Sequence, residues 1–202
     1  MTCVIGLTGS IASGKSTVSL MFDDFGIPVI DADKLSREVV KPGQPALAEI
    51  VRVFGEKMLL EDGTLDRKRL GKVVFSNEEK RKQLNDIVHP EVRRLMTSRR
   101  DAYVKRGEKA VVLDIPLLFE SNLQAYVDKI IVVYADHETQ LRRLMERDGY
   151  TEREAESRIR VQMPVKEKAE LADAVINNNG SKHETYEQLQ LILQNWGILH
   201  GS

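Results

Sequence analysis

The sequence predicts a protein of the α/β class, with a parallel sheet covered by helices on both faces. Short apolar runs rich in β-branched residues recur along the 202 residues. The runs are continuous rather than alternating, which is typical of strands buried on both faces. Segments of helical periodicity separate them, which favours right-handed crossovers between parallel strands. The length allows one solid core with a small appended subdomain.

Five predicted strands follow one another along the chain. They are VIGLT at 4–8, PVID at 28–31, AVVLD at 110–114, KIIVVY at 129–134 and the shorter AVIN at 174–177. A helix is expected from Ser16, because apolar residues repeat at intervals of three and four from Val18 and Gly26 ends the pattern.

Two helical segments lie outside these core elements. Residues 34–109 form a long insertion with a basic stretch from Lys80 to Arg106, and residues 137–170 form an arginine-rich segment interrupted at Gly149. There Thr151 and Glu154 have the spacing of a capping box. We therefore expect one domain, 1–202, with a core (1–33, 110–136 and 171–202), a helical insertion (34–109) and a lid (137–170).

Composition excludes several classes of protein. Thirty Lys+Arg against 31 Asp+Glu give a formal net charge of −1, without the basic excess usual in proteins that hold nucleic acid. The single cysteine, Cys3, excludes an internal disulfide. The sequence has no signal-peptide pattern at its start and no apolar run of membrane-spanning length. We expect a cytoplasmic protein, monomeric or weakly homo-oligomeric, with no nucleic-acid or membrane partner.

The stretch LTGSIASGKST at 7–17 has the spacing of a phosphate-binding loop, the Walker A pattern. Gly9 is followed after four residues by Gly14-Lys15-Ser16, between a predicted strand and a predicted helix. Glycines let successive backbone N–H groups turn inward, and the helix N-terminus favours an anion. Lys15 can reach the β- and γ-phosphates, and the Ser16 hydroxyl can bind Mg²⁺. We expect a nucleoside triphosphate here, with further contacts from Ala12, Ser13 and Thr17.

Among proteins with such a loop, the sequence favours a small kinase. The Asn-Lys-x-Asp motif of GTPases is absent, and motor ATPases need a longer chain. A kinase needs a carboxylate near the acceptor and an arginine-bearing lid. The candidate for the acceptor-side carboxylate is Asp33, with Arg37 one helical turn later. The alternative interpretation is that Asp33 caps a helix and forms a surface ion pair. The candidates for the lid arginines are Arg143 and Arg147. The alternative interpretation is that they belong to the solvent-exposed, charged face of a helix.

Two further groups carry less specific signals. The strand AVVLD ends at Asp114, as a Walker B strand ends at an aspartate near the metal, but such strands are common in α/β proteins. His89 and Arg93 lie in the basic insertion, where a structural role and a ligand-binding role remain equally open.

Six blocks of the sequence together resemble dephospho-CoA kinases. The blocks are GLTGSIASGKST, VIDADKLSREVVKPG, HPEVRRLM, DIPLLFE, QLRRLMERDGYTEREAESRI and ADAVINNNGS, in that family's order. The resemblance implies a three-layer α/β/α P-loop fold similar to nucleoside monophosphate kinases, with a helical CoA-binding insertion and a mobile lid. It also implies ATP-dependent, Mg²⁺-requiring phosphorylation of the ribose 3′-hydroxyl of dephospho-CoA, the last step of coenzyme A synthesis.

The resemblance implies residue roles as well. Asp33 would orient or deprotonate the 3′-hydroxyl, Arg143 would pack near adenine, and Arg147 would reach the transferring phosphate. The acceptor side would be lined by Arg37, His89, Arg93, Leu117 and Glu120, and the backbone from Asn177 to Gly180 would border the adenine. The family pattern centres on Pro116 to Glu120, so Asp114 as a metal-site residue depends on the Walker B analogy alone.

Two other functions remain open from the sequence. A nucleoside or nucleoside monophosphate kinase shares the loop, the lid and the size, although the basic insertion favours a larger anionic acceptor. A regulatory module that binds ATP without turnover is the alternative from another class. That module would have no use for an acceptor-side carboxylate and lid arginines.

Overall fold

The computed structural model describes residues 1–199, and the chain divides into two compact units. The first unit contains Met1–Ile30 and the chain from Arg100 onwards, and the second contains Asp31–Arg99. Residues 200–202, the end of the expected core segment, lie outside the described residues.

A five-stranded parallel sheet forms the centre of the fold, which confirms the predicted class. Its strands are β1 (Cys3–Gly9), β2 (Val29–Asp31), β3 (Ala110–Asp114), β4 (Lys129–Tyr134) and β5 (Ala174–Asn177), in the order β2-β3-β1-β4-β5. The last three have the predicted bounds, and β1 is one residue longer at each end. β2 begins at Val29 rather than at Pro28, which has no N–H to donate, although the Pro28 carbonyl accepts from Val112 N at 2.9 Å.

Nine α-helices accompany the sheet within residues 1–199. They are α1 (Lys15–Asp24), α2 (Ala32–Glu38), α3 (Pro45–Phe54), α4 (Arg67–Phe75), α5 (Glu78–Lys105), α6 (His137–Asp148), α7 (Glu152–Arg160), α8 (Val165–Glu170) and α9 (Lys182–Asn195). Short 3₁₀ turns lie at Glu56–Met58 and Gln124–Tyr126. Among these described helices, none combines the length and the apolar character needed to cross a lipid bilayer.

The core of the first unit fixes the central strand. β1 pairs with β3 on one side and with β4 on the other, so that Ile5 faces both Val112 and Lys129 across the ladders. Ile5 and Val112 are fully buried and pack with Phe22 of α1 and Leu189 of α9. Burying one such side chain contributes about 1.5–3 kcal/mol. The core therefore fixes the end of β1, and with it the start of the loop that follows.

The arginine-rich segment folds as the sequence predicted. α6 ends at Gly149, which has a left-handed conformation and donates its N–H to Met145 O at 2.9 Å. α7 begins with a capping box, in which the Thr151 and Glu154 side chains each accept the other residue's backbone N–H. A short break thus separates two well-capped helices.

The second unit has its own apolar core. Val39, Ile50, Phe54, Met58 and Leu70 are buried together, and apolar side chains of α5 between Leu84 and Leu95 pack against them. α5 continues through Pro90, which lies inside the helix and cannot donate a backbone hydrogen bond. The predicted helical character of this part of the chain is therefore correct.

Candidate nucleotide-binding site

The loop between β1 and α1 has the backbone of a phosphate-binding loop. β1 ends at Gly9 and α1 begins at Lys15, so the loop connects the central strand directly to a helix N-terminus. Ala12 and Gly14 have positive φ values of 59° and 87°, and Ser13 N donates to Ser10 O at 3.1 Å. The N-cap residue of α1 is Gly14, which has no side chain that could cap the helix. The first N–H groups of α1 are therefore available to an anion, which the helix dipole also favours.

A buried amide from the opposite end of the chain fixes this loop. Asn178 Nδ2 donates to Ser13 O at 2.7 Å, and the Thr185 hydroxyl donates to Asn178 Oδ1 at 2.8 Å. Asn178 is only 6% exposed. A Cβ atom on Gly14 would lie 2.0 Å from Asn178 Nδ2, so a side chain there would displace the amide. The loop, β5 and α9 therefore form one hydrogen-bonded unit.

Arg143 of α6 joins the same group of contacts. Its Nη2 donates to Asn178 O at 2.8 Å and its Nη1 to Ser13 O at 3.4 Å. Next to them, Asn177 exchanges backbone hydrogen bonds with the Gln188 side chain at 2.8 and 2.9 Å. The structure thus brings together the phosphate loop, Arg143 and the segment that begins at Asn177, and the prediction that they bind one nucleotide stays a prediction.

Lys15, the first residue of α1, forms an ion pair with Asp114, the last residue of β3. Asp114 is 3% exposed, whereas Ser16 is exposed. The described residues contain no group of three or more His, Cys, Asp or Glu side chains suited to a metal ion. A metal here would depend on the Ser16 hydroxyl, the Asp114 carboxylate and ligand oxygens. That donor set suits Mg²⁺, which binds through few carboxylates together with phosphates.

Arg147 lies on α6 one turn beyond Arg143, but its guanidinium pairs with Asp148. Nε and Nη2 donate to the two carboxylate oxygens at 2.9 and 2.8 Å, and the side chain is 60% exposed. On α7, the Arg158 guanidinium lies 3.8 Å from the centre of the Tyr150 ring, in a cation–π contact. The structure therefore groups Arg143, but not Arg147, with the phosphate loop.

The loop after β3 carries two residues predicted on the acceptor side. Leu117 is exposed by 42%. Glu120 accepts from Met163 N at 3.2 Å and pairs with Lys168 Nζ at 2.9 Å. Glu120 therefore has two protein partners in this structure.

The remaining acceptor-side candidates lie on two helices of the second unit. Asp33 and Arg37 are both on α2, where the cap is Asp31 and not Asp33: the Asp31 carboxylate accepts from Asp33 N at 2.9 Å and from Lys34 N at 3.0 Å. His89 and Arg93 lie one turn apart on α5. Desolvation and the Arg93 charge lower the pKa of His89, so that its imidazole is neutral at pH 7.

Three side chains that support the loop were not predicted to do so, although the backbone of Asn178 belongs to the segment from Asn177 to Gly180 that was expected to border the adenine. Asn178 fixes Ser13 O, Gln162 Oε1 accepts from Ile11 N at 2.8 Å, and the fully buried Lys168 donates to Gly9 O at 3.3 Å. Asn178 lies within the block ADAVINNNGS, and Gln162 lies three residues beyond the block that ends at Ile159. For Lys168 the available signal was its place three residues after Val165, on the buried face of α8.

Known proteins match nearly the whole of this chain. The family model described as dephospho-CoA kinase matches residues 3–184. The dephospho-CoA kinase of Geobacillus kaustophilus is 58% identical over 199 residues, which cover 98% of this chain and 99% of the relative.

Two solved structures are similar over nearly the whole chain. A crystal structure of a Thermus thermophilus protein has 38% identity and a TM-score of 0.80, with 96% of this chain and 97% of the other covered. The dephospho-CoA kinase from Campylobacter jejuni has 32% identity and a TM-score of 0.75, with 97% and 98% covered. With a phosphate loop braced by Arg143 and Asn178 and relatives matched from end to end, the chain belongs to the dephospho-CoA kinase family.

Proposed function

We propose that this protein transfers the γ-phosphoryl group of ATP to the ribose 3′-hydroxyl of dephospho-CoA, giving coenzyme A and ADP. This is the final step of coenzyme A synthesis. Full-length similarity to dephospho-CoA kinases supports the reaction. In the structure, the observation that carries it is the 9–17 loop, which is fixed through Ser13 O to Asn178 and Arg143.

The nucleotide is held by the loop and by its neighbours. Backbone N–H groups and the N-terminus of α1 bind the phosphates, and Lys15 stabilises the charge that spreads over the β- and γ-oxygens. Arg143 lies beside the segment from Asn177 to Gly180, which supports the assignment of this side to adenine. Arg147 would leave Asp148 to reach the transferring phosphate. Catalysis of this kind depends mainly on positioning and electrostatic stabilisation.

The acceptor is assigned to Asp33, at the end of the first core segment, to residues of the insertion and to the loop after β3. The Asp33 carboxylate orients the 3′-hydroxyl and accepts its proton as the bond to phosphorus forms. Arg37, Arg93, the neutral His89, Leu117 and Glu120 line the acceptor side. In this assignment residues 34–109 bind the CoA moiety and residues 137–170 act as the lid that excludes water.

Mg²⁺ is the metal that this donor set favours. Ser16 and Asp114 would hold it together with phosphate oxygens, and it would supply positive charge that neutralises the transferring group. We also assign the protein to the cytoplasm, as a monomer or weak homo-oligomer without a nucleic-acid partner. Its net charge of −1 supports the last point.

One experiment tests the reaction directly. The purified protein is incubated with ATP, Mg²⁺ and dephospho-CoA, with AMP and adenosine as separate acceptors, and the products are identified by mass. We expect a gain of one phosphoryl group on dephospho-CoA alone. Phosphorylation of AMP instead would retain the kinase chemistry and refute the acceptor. ATP binding without any product would point to a regulatory module.

A further inference from the structure

We infer that Lys168 is a positioning residue that joins the phosphate loop to the loop after β3. The inference rests on the proposed function, because it assigns ATP to the first loop and the acceptor to the second. Lys168 lies on α8, outside the phosphate loop, and its side chain is 0% exposed. A lysine is almost never fully buried unless it is paired, so its partners indicate what it does.

The Lys168 ammonium has three partners, one for each of its N–H donors. It pairs with Glu120 at 2.9 Å and donates to the Gly9 and Pro116 carbonyls at 3.3 Å each. Gly9 begins the phosphate loop, while Pro116 and Glu120 belong to the loop that follows β3. One buried cation therefore links the loops that leave two adjacent strands.

Neighbouring hydrogen bonds strengthen the same junction. The Thr8 hydroxyl also donates to Pro116 O, at 3.0 Å. On the other side, Glu120 accepts from Met163 N at 3.2 Å, and the Ser10 hydroxyl donates to Met163 O at 3.4 Å. The connection between α7 and α8 is thus tied to both loops, with Lys168 and Glu120 as the only charged pair in the group among the described residues.

This arrangement sets the spacing between the two loops, and loss of the ammonium should let them move apart. A displacement of about 1 Å can reduce an enzymatic rate by about 10²-fold. Lys168 touches backbone carbonyls and a carboxylate, so it acts through the loops and not on the reacting atoms. Glu120 then serves as the counter-ion of Lys168.

The test compares Lys168→Met, the double variant Lys168→Met with Glu120→Gln, and Lys166→Met. The double variant leaves no carboxylate without its partner, and the control removes an exposed lysine from the same helix. ATP affinity is measured by equilibrium binding, and kcat with dephospho-CoA, both at a temperature where thermal unfolding shows each variant folded. We expect about tenfold weaker ATP binding and a lower kcat in the folded Lys168 variants. The control should match the wild type.

A folded Lys168 variant with the ATP affinity and kcat of the control would overturn the inference, whatever its melting temperature. If neither Lys168 variant folds, the Glu120→Gln variant tests the inference instead. It is expected to fold, since the Glu120 side chain is 24% exposed and glutamine has nearly the same shape. Weaker ATP binding in Glu120→Gln supports the link between the loops. Unchanged ATP binding in Glu120→Gln would refute the link, whether or not the KM for dephospho-CoA changes, because a contact of Glu120 with the acceptor affects that KM alone. A wild-type protein that binds ATP but makes no coenzyme A would refute the proposed function alone, because the binding comparison stands without turnover.

Discussion

Replacing Gly14 with alanine should disable the phosphate loop through one close contact. Gly14 has a φ of 87°, and its added Cβ would lie 2.0 Å from Asn178 Nδ2. The left-handed backbone costs a residue with a Cβ about 1–2 kcal/mol. Displacing the Asn178 amide removes the hydrogen bond to Ser13 O, which costs about 1–3 kcal/mol more because the groups are buried. The free energy of unfolding should therefore fall by about 2–5 kcal/mol.

Gly26→Ala is the matched control for the backbone term. Gly26 has a φ of 66°, but nothing lies within 4 Å of the position of its added Cβ. In denaturant titrations, Gly26→Ala should lower the free energy of unfolding by about 1–2 kcal/mol, because it adds only the cost of a left-handed backbone at a residue with a Cβ. ATP binding should be weakened only by Gly14→Ala.

A double variant locates the effect in the contact itself. In an Asn178→Ala background the clash is absent, so Gly14→Ala should cost only the backbone term there. Equal losses for Gly14→Ala in both backgrounds, or unchanged ATP affinity in the single variant, would refute the role of this contact.

Three further outcomes test other parts of the site. Asp33→Asn should retain ATP affinity and lose about 10²–10⁴-fold in kcat, because proton transfer by a positioned side chain has that size; near-normal turnover with dephospho-CoA would exclude Asp33 as the base. Asp114→Asn should lower the free energy of unfolding by about 1–3 kcal/mol in denaturant titrations, because Lys15 loses its charged partner; an unchanged midpoint would contradict that pairing. Hydrogen bonds from Thr151 lower the pKa of Glu154, so its contribution to stability is complete above its unfolded pKa of about 4.3 and is lost as the pH falls through the lower folded value. The stability difference between wild type and Glu154→Ala should therefore be present at neutral pH and vanish in acid, and a difference that persists there would contradict the capping role.

The sequence predicted the elements whose signals are local. Strand bounds at β3, β4 and β5 followed from continuous apolar runs, and the break between α6 and α7 followed from Gly149 and the Thr151–Glu154 spacing. The phosphate loop was predictable because its residues are close together in sequence. The prediction that this loop leads into the N-terminus of a helix depended only on the apolar strand before it and the helical periodicity after it.

The supports of the loop were not predictable in the same way. Asn178 contacts Ser13 from 165 positions away, and Lys168 contacts Gly9 from 159 positions away. Such contacts depend on the order of strands in the sheet, which short-range patterns do not specify. Arg143 and Arg147 lie one turn apart on α6, and the sequence offered no reason to distinguish them. In the structure Arg143 contacts the loop, whereas Arg147 pairs with Asp148. Whether the cap of α2 would be Asp31 or Asp33 was similarly undetermined by residue type.

The position of β1 has a consequence for how the protein is made. Of the five strands, β1 is synthesised before the other four, yet it lies in the middle of the sheet. Cys3 has no parallel neighbour from β3 until Ala110 has been synthesised. Pairing over such separations is slow, since chain entropy opposes it before the contacts form. The phosphate loop lacks the hydrogen bond to Ser13 O until Asn178 has been synthesised. During translation, therefore, the phosphate loop is synthesised well before it becomes functional, and fragments that stop before β5 should not bind ATP.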